Sequence, residues 1–218
     1  MSNGSKAKPP GYLSLTLRKQ TPEPLKRLLR GVRLVTATIP PSAPQLPQEA
    51  LDSCRFLASL TDFLDRISPG GIALELGSLY GDFSREILAR YRPAKLHLVD
   101  VDFEPLTPSV KQSPDVELHR GLTSERVPEF DDESFDFIYV DADHSYEGVK
   151  LDIEMCVGKL KPGGILAFND YARIVRPGLG VFGVHQAVSE FIVSHRWNVI
   201  FFCFNSEALY DIVLQKPD

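Results

Sequence analysis

From residue 72 onward, short apolar runs alternate with amphipathic segments. The runs predict strands at Ile72 to Leu76, Lys95 to Asp100, Val116 to His119, Phe135 to Val140 and Gly164 to Asn169. Between them, apolar positions at a 3.6-residue period predict helices at Asp82 to Tyr91, Ser145 to Leu160 and Val184 to Arg196, with a weaker one near Pro105 to Lys111. Strand and helix in alternation mean an α/β fold, a parallel sheet with helices on both faces. The end departs from that rule. Trp197 to Phe204 and Ala208 to Gln215 are strand-like runs joined only by Asn205, Ser206 and Glu207, a link long enough for a hairpin and too short for a parallel crossover. The expected sheet therefore has seven strands, mostly parallel, with an antiparallel last strand.

Ahead of this unit, Ala50, Leu51, Cys54, Leu57, Ala58, Leu60, Phe63, Leu64 and Ile67 keep a helical period, which predicts a helix from Gln48 to Ile67 stopped by Pro69-Gly70-Gly71. Pro40, Pro41, Pro44 and Pro47 mark a linker before it. Residues 1 to 24, rich in Ser, Lys, Pro and Gly, predict a mobile arm. Leu25, Leu28, Leu29 and Val32 then share one helical face opposite Lys26, Arg27, Arg30 and Arg33, a short basic amphipathic helix. The expected organisation is an arm and linker over 1–46 and a folded domain over 47–218.

Composition changes this picture little. With 43% hydrophobic and 24% charged residues, the chain of 218 can bury a sizeable core. No apolar run approaches the roughly 18 residues that span a bilayer, and no secretory h-region opens the chain, so the expected location is cytoplasmic. Cys54, Cys156 and Cys203 are odd in number and widely spaced, which suits buried thiols. Charge is more informative: the net is -5, yet residues 1 to 40 carry eight Lys/Arg against Glu23 alone. The folded part is thus strongly acidic, which argues against binding nucleic acid through the whole domain.

In open α/β sheets, ligands bind beyond the carboxyl ends of the strands. Three segments fall there. Leu74-Glu-Leu-Gly-Ser-Leu-Tyr-Gly81 runs from a strand through a glycine-bearing turn into a helix, where backbone can approach a ligand and free N–H groups await it. Its GxxxG spacing differs from the GxGxxG of dinucleotide binders. Asp100 ends the second strand, well placed to accept both hydroxyl hydrogens of a ribose. Asp141-Ala-Asp-His144 and Asn169-Asp170-Tyr171 end the fourth and fifth strands, which the topology makes neighbours. Asp141, Asn169 and Asp170 offer oxygen ligands for a hard cation such as Mg²⁺, while as plain helix caps or loop formers they would need none. His144 stands beside them as a candidate proton acceptor, and the segment from Tyr171 to Gly183, with Pro177, Gly178 and Gly180, has the length of an active-site lid.

On these residues the sequence resembles the class I S-adenosylmethionine-dependent methyltransferases over roughly 47–218. Glu75-Leu-Gly-Ser-Leu-Tyr-Gly81 is similar to their first motif, Asp100 to their ribose-binding acid, Lys161-Pro-Gly-Gly164 to the turn before the fifth strand, and Tyr210-Asp-Ile-Val-Leu214 to their reversed last strand. Phe135-Asp-Phe-Ile-Tyr-Val-Asp-Ala-Asp-His-Ser-Tyr-Glu-Gly-Val149 resembles more narrowly the small-molecule branch that includes sugar, antibiotic and catechol O-methyltransferases. The resemblance implies a Rossmann-like sheet, S-adenosylmethionine as cofactor and an oxygen of a small molecule as acceptor. It implies that Gly77, Ser78 and Gly81 line the methionine part, that Glu75 holds the loop or the amino group, that Asp100 takes the ribose, and that Thr123 and Ser124 approach the adenine. Asp141, which falls by position among these cofactor residues, also matches the first Mg²⁺ ligand of the catechol group, whereas Asn169-Asp170 reverses that group's Asp-Asn pair. His144 occupies the position of its lysine base.

Two other readings remain from the residues. The domain can be a non-catalytic cofactor- or partner-binding platform, since a fold does not fix a function. An RNA methyltransferase is the minor alternative, resting on the basic arm alone, because Asp141-Ala-Asp-His144 lacks the Asn/Asp-Pro-Pro-Tyr signature of amino-methylating enzymes. Tyr146 and Lys150 share the YxxxK spacing of short-chain dehydrogenases but stand after the wrong strand. A homo-oligomer is left open.

Overall fold

The computed structural model describes residues 42–172, 175–176, 180–204 and 209–218. The basic arm, its amphipathic helix, Pro177 and Gly178 of the expected lid, and the Asn205 to Glu207 link all lie outside the described residues.

In chain order the elements are α1 (Gln48–Leu51), β1 (Arg55–Leu57), a 3-10 turn (Asp62–Asp65), β2 (Ile72–Leu76), α2 (Asp82–Glu86), β3 (Lys95–Asp100), α3 (Pro108–Lys111), β4 (Val116–Arg120) and α4 (Thr123–Arg126). There follow β5 (Phe135–Val140), α5 (Tyr146–Lys159), β6 (Leu160–Phe168), the short β7 (Val175–Arg176) and β8 (Gly180–Val181), α6 (Val184–His195), β9 (Asn198–Phe204) and β10 (Tyr210–Gln215).

Eight strands form one sheet in the order β1-β9-β10-β6-β5-β2-β3-β4. From β6 to β4 all neighbours are parallel, and β10 runs antiparallel to both β6 and β9. The central strands are covered on both sides, which is why Ile72-Ala-Leu-Glu-Leu76 and Phe135-Asp-Phe-Ile-Tyr-Val140 read as nearly continuous apolar runs. One face packs α5 and α6 through Val149, Ile153, Cys156, Val188 and Ile192. The other packs Phe63, Ile87, Tyr91 and Val110 against Leu96, Leu98 and Phe137. Successive strands β2, β3 and β4 move toward one edge while β5 and β6 move toward the other, so strand order reverses between β2 and β5. That reversal opens a crevice above the carboxyl ends of these two strands.

The expected helix from Gln48 to Ile67 is corrected. Helix α1 ends at Leu51, Arg55-Phe-Leu57 becomes an eighth strand parallel to β9, and Asp62–Asp65 is a 3-10 turn. The open edge of β9 decides the outcome, because its unpaired backbone groups gain partners only from an extended segment. Leu57 enters the core and Phe56 packs edge-on against Phe202 at 6.0 Å. The expected helix over 82–91 is α-helical only to Glu86, then widens into a π turn from Ile87 to Tyr91 in which Arg92 N–H reaches Ile87 O. Strand β6 begins earlier than expected, taking Lys161-Pro-Gly-Gly164 in as a bulge against β5. Of the cysteines, Cys156 and Cys203 are buried and Cys54 is half-buried, all as free thiols. No helix among the described residues is long and apolar enough to cross a membrane.

Candidate active site

The rim above the sheet is stitched one residue past the strand ends. Gly77 N–H donates to Val99 O, Asp141 N–H to Leu76 O, and Asn169 N–H to Val140 O, at 2.9, 2.8 and 3.0 Å. Gly77, Asp141 and Asn169 therefore stand in a row at the strand-order reversal. Gly77 and Gly81 hold φ of +82° and +78°, a backbone region costly for other residues. The turn they make presents the N–H groups of Ser78 and Leu79 to Asp100 Oδ2, at 2.8 and 3.1 Å. Asp100 thus braces the glycine turn as well as ending β3. Its Oδ1 accepts from Asp102 N–H alone and keeps room for another donor.

Below the turn lies a cavity of about 500 Å³ lined by Glu75, Ser78, Tyr139, Asp141 and Asn169 from the rim and by Thr61 and Phe83 opposite. Phe83 stacks on Tyr139 with ring centroids 3.8 Å apart, forming one flat wall. Glu75, 1% exposed, accepts from Ser84 Oγ at 2.6 Å. Burial pushes its carboxyl from the ordinary 4.5 up to about 8. Tyr139 OH donates to Asp211 Oδ2 at 2.8 Å, and Asn169 Nδ2 donates to both Tyr139 OH and Asp211 Oδ1, at 3.1 and 3.2 Å. With its amide hydrogens so engaged, Asn169 turns Oδ1 outward to the rim.

Asn169 Oδ1 lies 3.3 Å from His144 Nε2, which also stands 3.4 Å from Asp141 Oδ1 and 3.6 Å from Asp170 Oδ2. The ring stacks on Phe182 at 4.7 Å, and the His144 carbonyl accepts from Gly183 N–H at 2.7 Å. Burial first, then the charges of Glu75, Asp211, Asp170 and Asp100, raise the Asp141 carboxyl well above the carboxylate range. Burial likewise lifts Asp211 to about 7. Such crowding of acids favours a proton or cation among them.

The structure brings Glu75, Gly77, Ser78, Gly81, Asp100 and Asp141 to one crevice, with His144, Asn169 and Asp170 beside them. Thr123 and Ser124 open α4 farther along the rim and do not line the cavity; Thr123 Oγ1 donates instead to the buried Asp152 Oδ1 at 2.7 Å. Sequence reasoning missed Tyr139, Asp211, Phe83 and Thr61. An aspartate within Tyr210-Asp-Ile-Val-Leu214, an otherwise apolar strand, was the one available signal for this network.

The Glu75 carboxyl sets a stability test. Its folded-state value is raised, so the folded chain keeps a proton that the unfolded chain sheds; stability is full below pH 4.5 and declines as pH rises through about 8. Glu75→Gln is expected to remove that decline, gaining on the order of a few kcal/mol over the parent at pH 9 relative to pH 5. Urea unfolding of both proteins at the two pH values measures it, and equal pH dependence would contradict a buried neutral carboxyl.

Comparison with known proteins is consistent with this geometry. Residues 74–171 match a family described as a methyltransferase domain. None of the curated proteins compared with the chain matches it. An O-methyltransferase from Bacillus cereus in complex with SAH superposes with a TM-score of 0.56 at 16% identity, covering 90% of this chain and 93% of that one. The N-methyltransferase NodS from Bradyrhizobium japonicum gives 0.54 at 17%, covering 90% and 98%. A SAM-dependent methyltransferase from Methanosarcina mazei gives 0.56 at 14%, covering 74% and 99%. At these identities the likeness is one of fold.

Proposed function

We propose that the chain is a class I S-adenosylmethionine-dependent methyltransferase that methylates an oxygen of a small-molecule acceptor, with His144 as the proton acceptor, a reading supported by its methyltransferase-domain match and by the fold it shares with such enzymes. The observation that carries this reading is the His144 imidazole, whose Nε2 faces Asp141, Asn169 and Asp170 on the same rim as the glycine turn. An acceptor hydroxyl must lose its proton as it attacks; with Nε2 donating to the Asn169 Oδ1 it faces, the free lone pair of the ring is on Nδ1, which would take that proton. Asp141 and Asp170 would then stabilise the imidazolium formed.

S-adenosylmethionine supplies a sulfonium methyl group open to in-line attack. Gly77, Ser78 and Gly81 would let the backbone approach its methionine part, and Asp100 Oδ1 would accept a ribose hydroxyl. Glu75, neutral by burial, would ionise against the cofactor's ammonium group. The Phe83–Tyr139 wall would exclude water and hold an apolar acceptor face.

A divalent cation fits the same oxygen set, since Asp141, Asp170 and Asn169 Oδ1 converge and the first is short of a counter-charge. The imidazole pointing into that set adds a nitrogen donor, which favours Mn²⁺ or a softer ion over Mg²⁺. His144 would then be a ligand, and the cation would lower the acceptor's pKa in its place.

Calorimetric titration with S-adenosylhomocysteine tests the proposal. Roughly micromolar binding, lost in Asp100→Ala, is expected; repeating it with Mg²⁺ and Mn²⁺ separates the base and ligand roles of His144. Absence of binding in all conditions would leave a partner-binding platform as the better reading.

A further inference from the structure

Away from the crevice, β3 and the edge strand β4 carry a second chemical cluster. In their parallel register His97 lies opposite Glu117, and His119 follows two residues on, so all three side chains share one face of the sheet. His97 Nδ1 and His119 Nε2 face each other at 2.9 Å. Glu117 places one oxygen 3.6 Å from His119 Nε2 and the other 4.0 Å from His97 Nδ1. Among the described residues, this trio gathers three metal-ligating side chains, two imidazoles and a carboxylate, with their donor atoms within 4.8 Å of one another.

We propose that His97, Glu117 and His119 bind a borderline divalent metal ion of the Zn²⁺ kind, which ties the edge strand β4 to β3. Bonds of about 2.1 Å to a tetrahedral ion hold donor atoms about 3.4 Å apart, close to the separations already present. Two imidazoles and one carboxylate make three protein ligands, leaving one position for water. The donors sit on paired strands, so little order must be gained on binding. Both rings are fixed edge-on by aromatic neighbours: Phe130 lies 5.3 Å from His97 and 4.9 Å from His119, and Phe135 lies 5.6 Å from His97. Glu117 is the adjustable member, its side chain 55% exposed and free to close the last few tenths of an ångström.

The surroundings also suit a ligand that must be neutral. Burial, followed for His97 by the neighbouring His119, lowers the proton affinity of both imidazoles. Glu117 and Glu129 oppose that trend, while Lys95 beside His97 and Arg126 beside His119 reinforce it. A single carboxylate ligand leaves net positive charge at a bound ion, which Glu129 offsets in part.

The test uses the full-length chain, free of tags and stripped of metal by a chelator, titrated with Zn²⁺ and followed by histidine ring resonances. One equivalent of Zn²⁺ is expected to shift the His97 and His119 signals together and to raise the midpoint of thermal unfolding. Glu117→Gln, an exposed change that preserves the fold, is expected to weaken that site at least tenfold, and His119→Ala to abolish it. His144→Ala leaves it intact, which separates it from the rim. Zn²⁺ that leaves the His97 and His119 resonances unmoved, or affinity unchanged in Glu117→Gln, would overturn the proposal.

Discussion

Gly77→Ala is expected to weaken S-adenosylhomocysteine binding by about a hundredfold or more and to cost the fold about 2–4 kcal/mol. Two effects add at this position. An alanine at φ +82° occupies the left-handed region, a cost of about 1–2 kcal/mol. Its Cβ would also stand within 3.0 Å of the Asp141 carbonyl group and of Ala142 Cα, all of them backbone. The Asp141 main chain cannot easily retreat, since its own N–H is bonded to Leu76 O. The turn itself must move, dragging Ser78 and Leu79 off Asp100. Gly70→Ala isolates the first effect: its φ is +87°, yet a Cβ there meets nothing within 4 Å. Titration calorimetry and urea unfolding of both variants give the comparison. A Gly77→Ala protein that binds as the parent does would remove this turn from the cofactor site.

How much of this was legible beforehand depends on where each residue gets its partners. The strands β2, β3 and β5 matched their expected bounds because a strand covered on both faces must be largely apolar, a demand visible in a run such as Phe137-Ile-Tyr-Val140. The segment 48–67 failed for the complementary reason. Its apolar residues satisfy a helix equally well, and what selects strand β1 is the edge of β9, roughly 145 residues later in the chain. Within the site, Glu75, Gly77 and Asp100 were legible as residue types at strand ends. That Asp100 braces the turn was not, because a hydrogen bond from Ser78 depends on where two separate strand ends finish. The Tyr139–Asn169–Asp211 network was hidden in the same way: its members come from β5, from β10 and from the residue just past β6, and only the registry of these strands shows that they meet. Thr123 shows the reverse case, a residue correctly placed after its strand whose hydroxyl is already engaged by Asp152.

His144→Ala separates chemistry from binding on the rim. Turnover with the native acceptor is expected to fall by about 10² to 10⁴, the range for removing a positioned general base, while S-adenosylhomocysteine affinity stays within a fewfold of the parent. The side chain lies outside the cavity under the glycine turn, so its loss leaves Glu75, Gly77 and Asp100 in place. It is nevertheless held firmly, by the Phe182 stack and by the Gly183 N–H on its carbonyl, the latter a main-chain contact that alanine keeps. The variant should therefore fold normally. On the proposed reading, what it lacks is the imidazole that would receive the acceptor's proton and be held as imidazolium by Asp141 and Asp170. Single-turnover rates measured across pH at saturating cofactor supply the decisive readout, since the limb of the profile imposed by a histidine base vanishes with the ring. Adding Mn²⁺ distinguishes the two roles: with His144 as base the loss persists, whereas with His144 as ligand excess metal restores part of the rate. Full turnover in His144→Ala without added metal would exclude both roles for this residue.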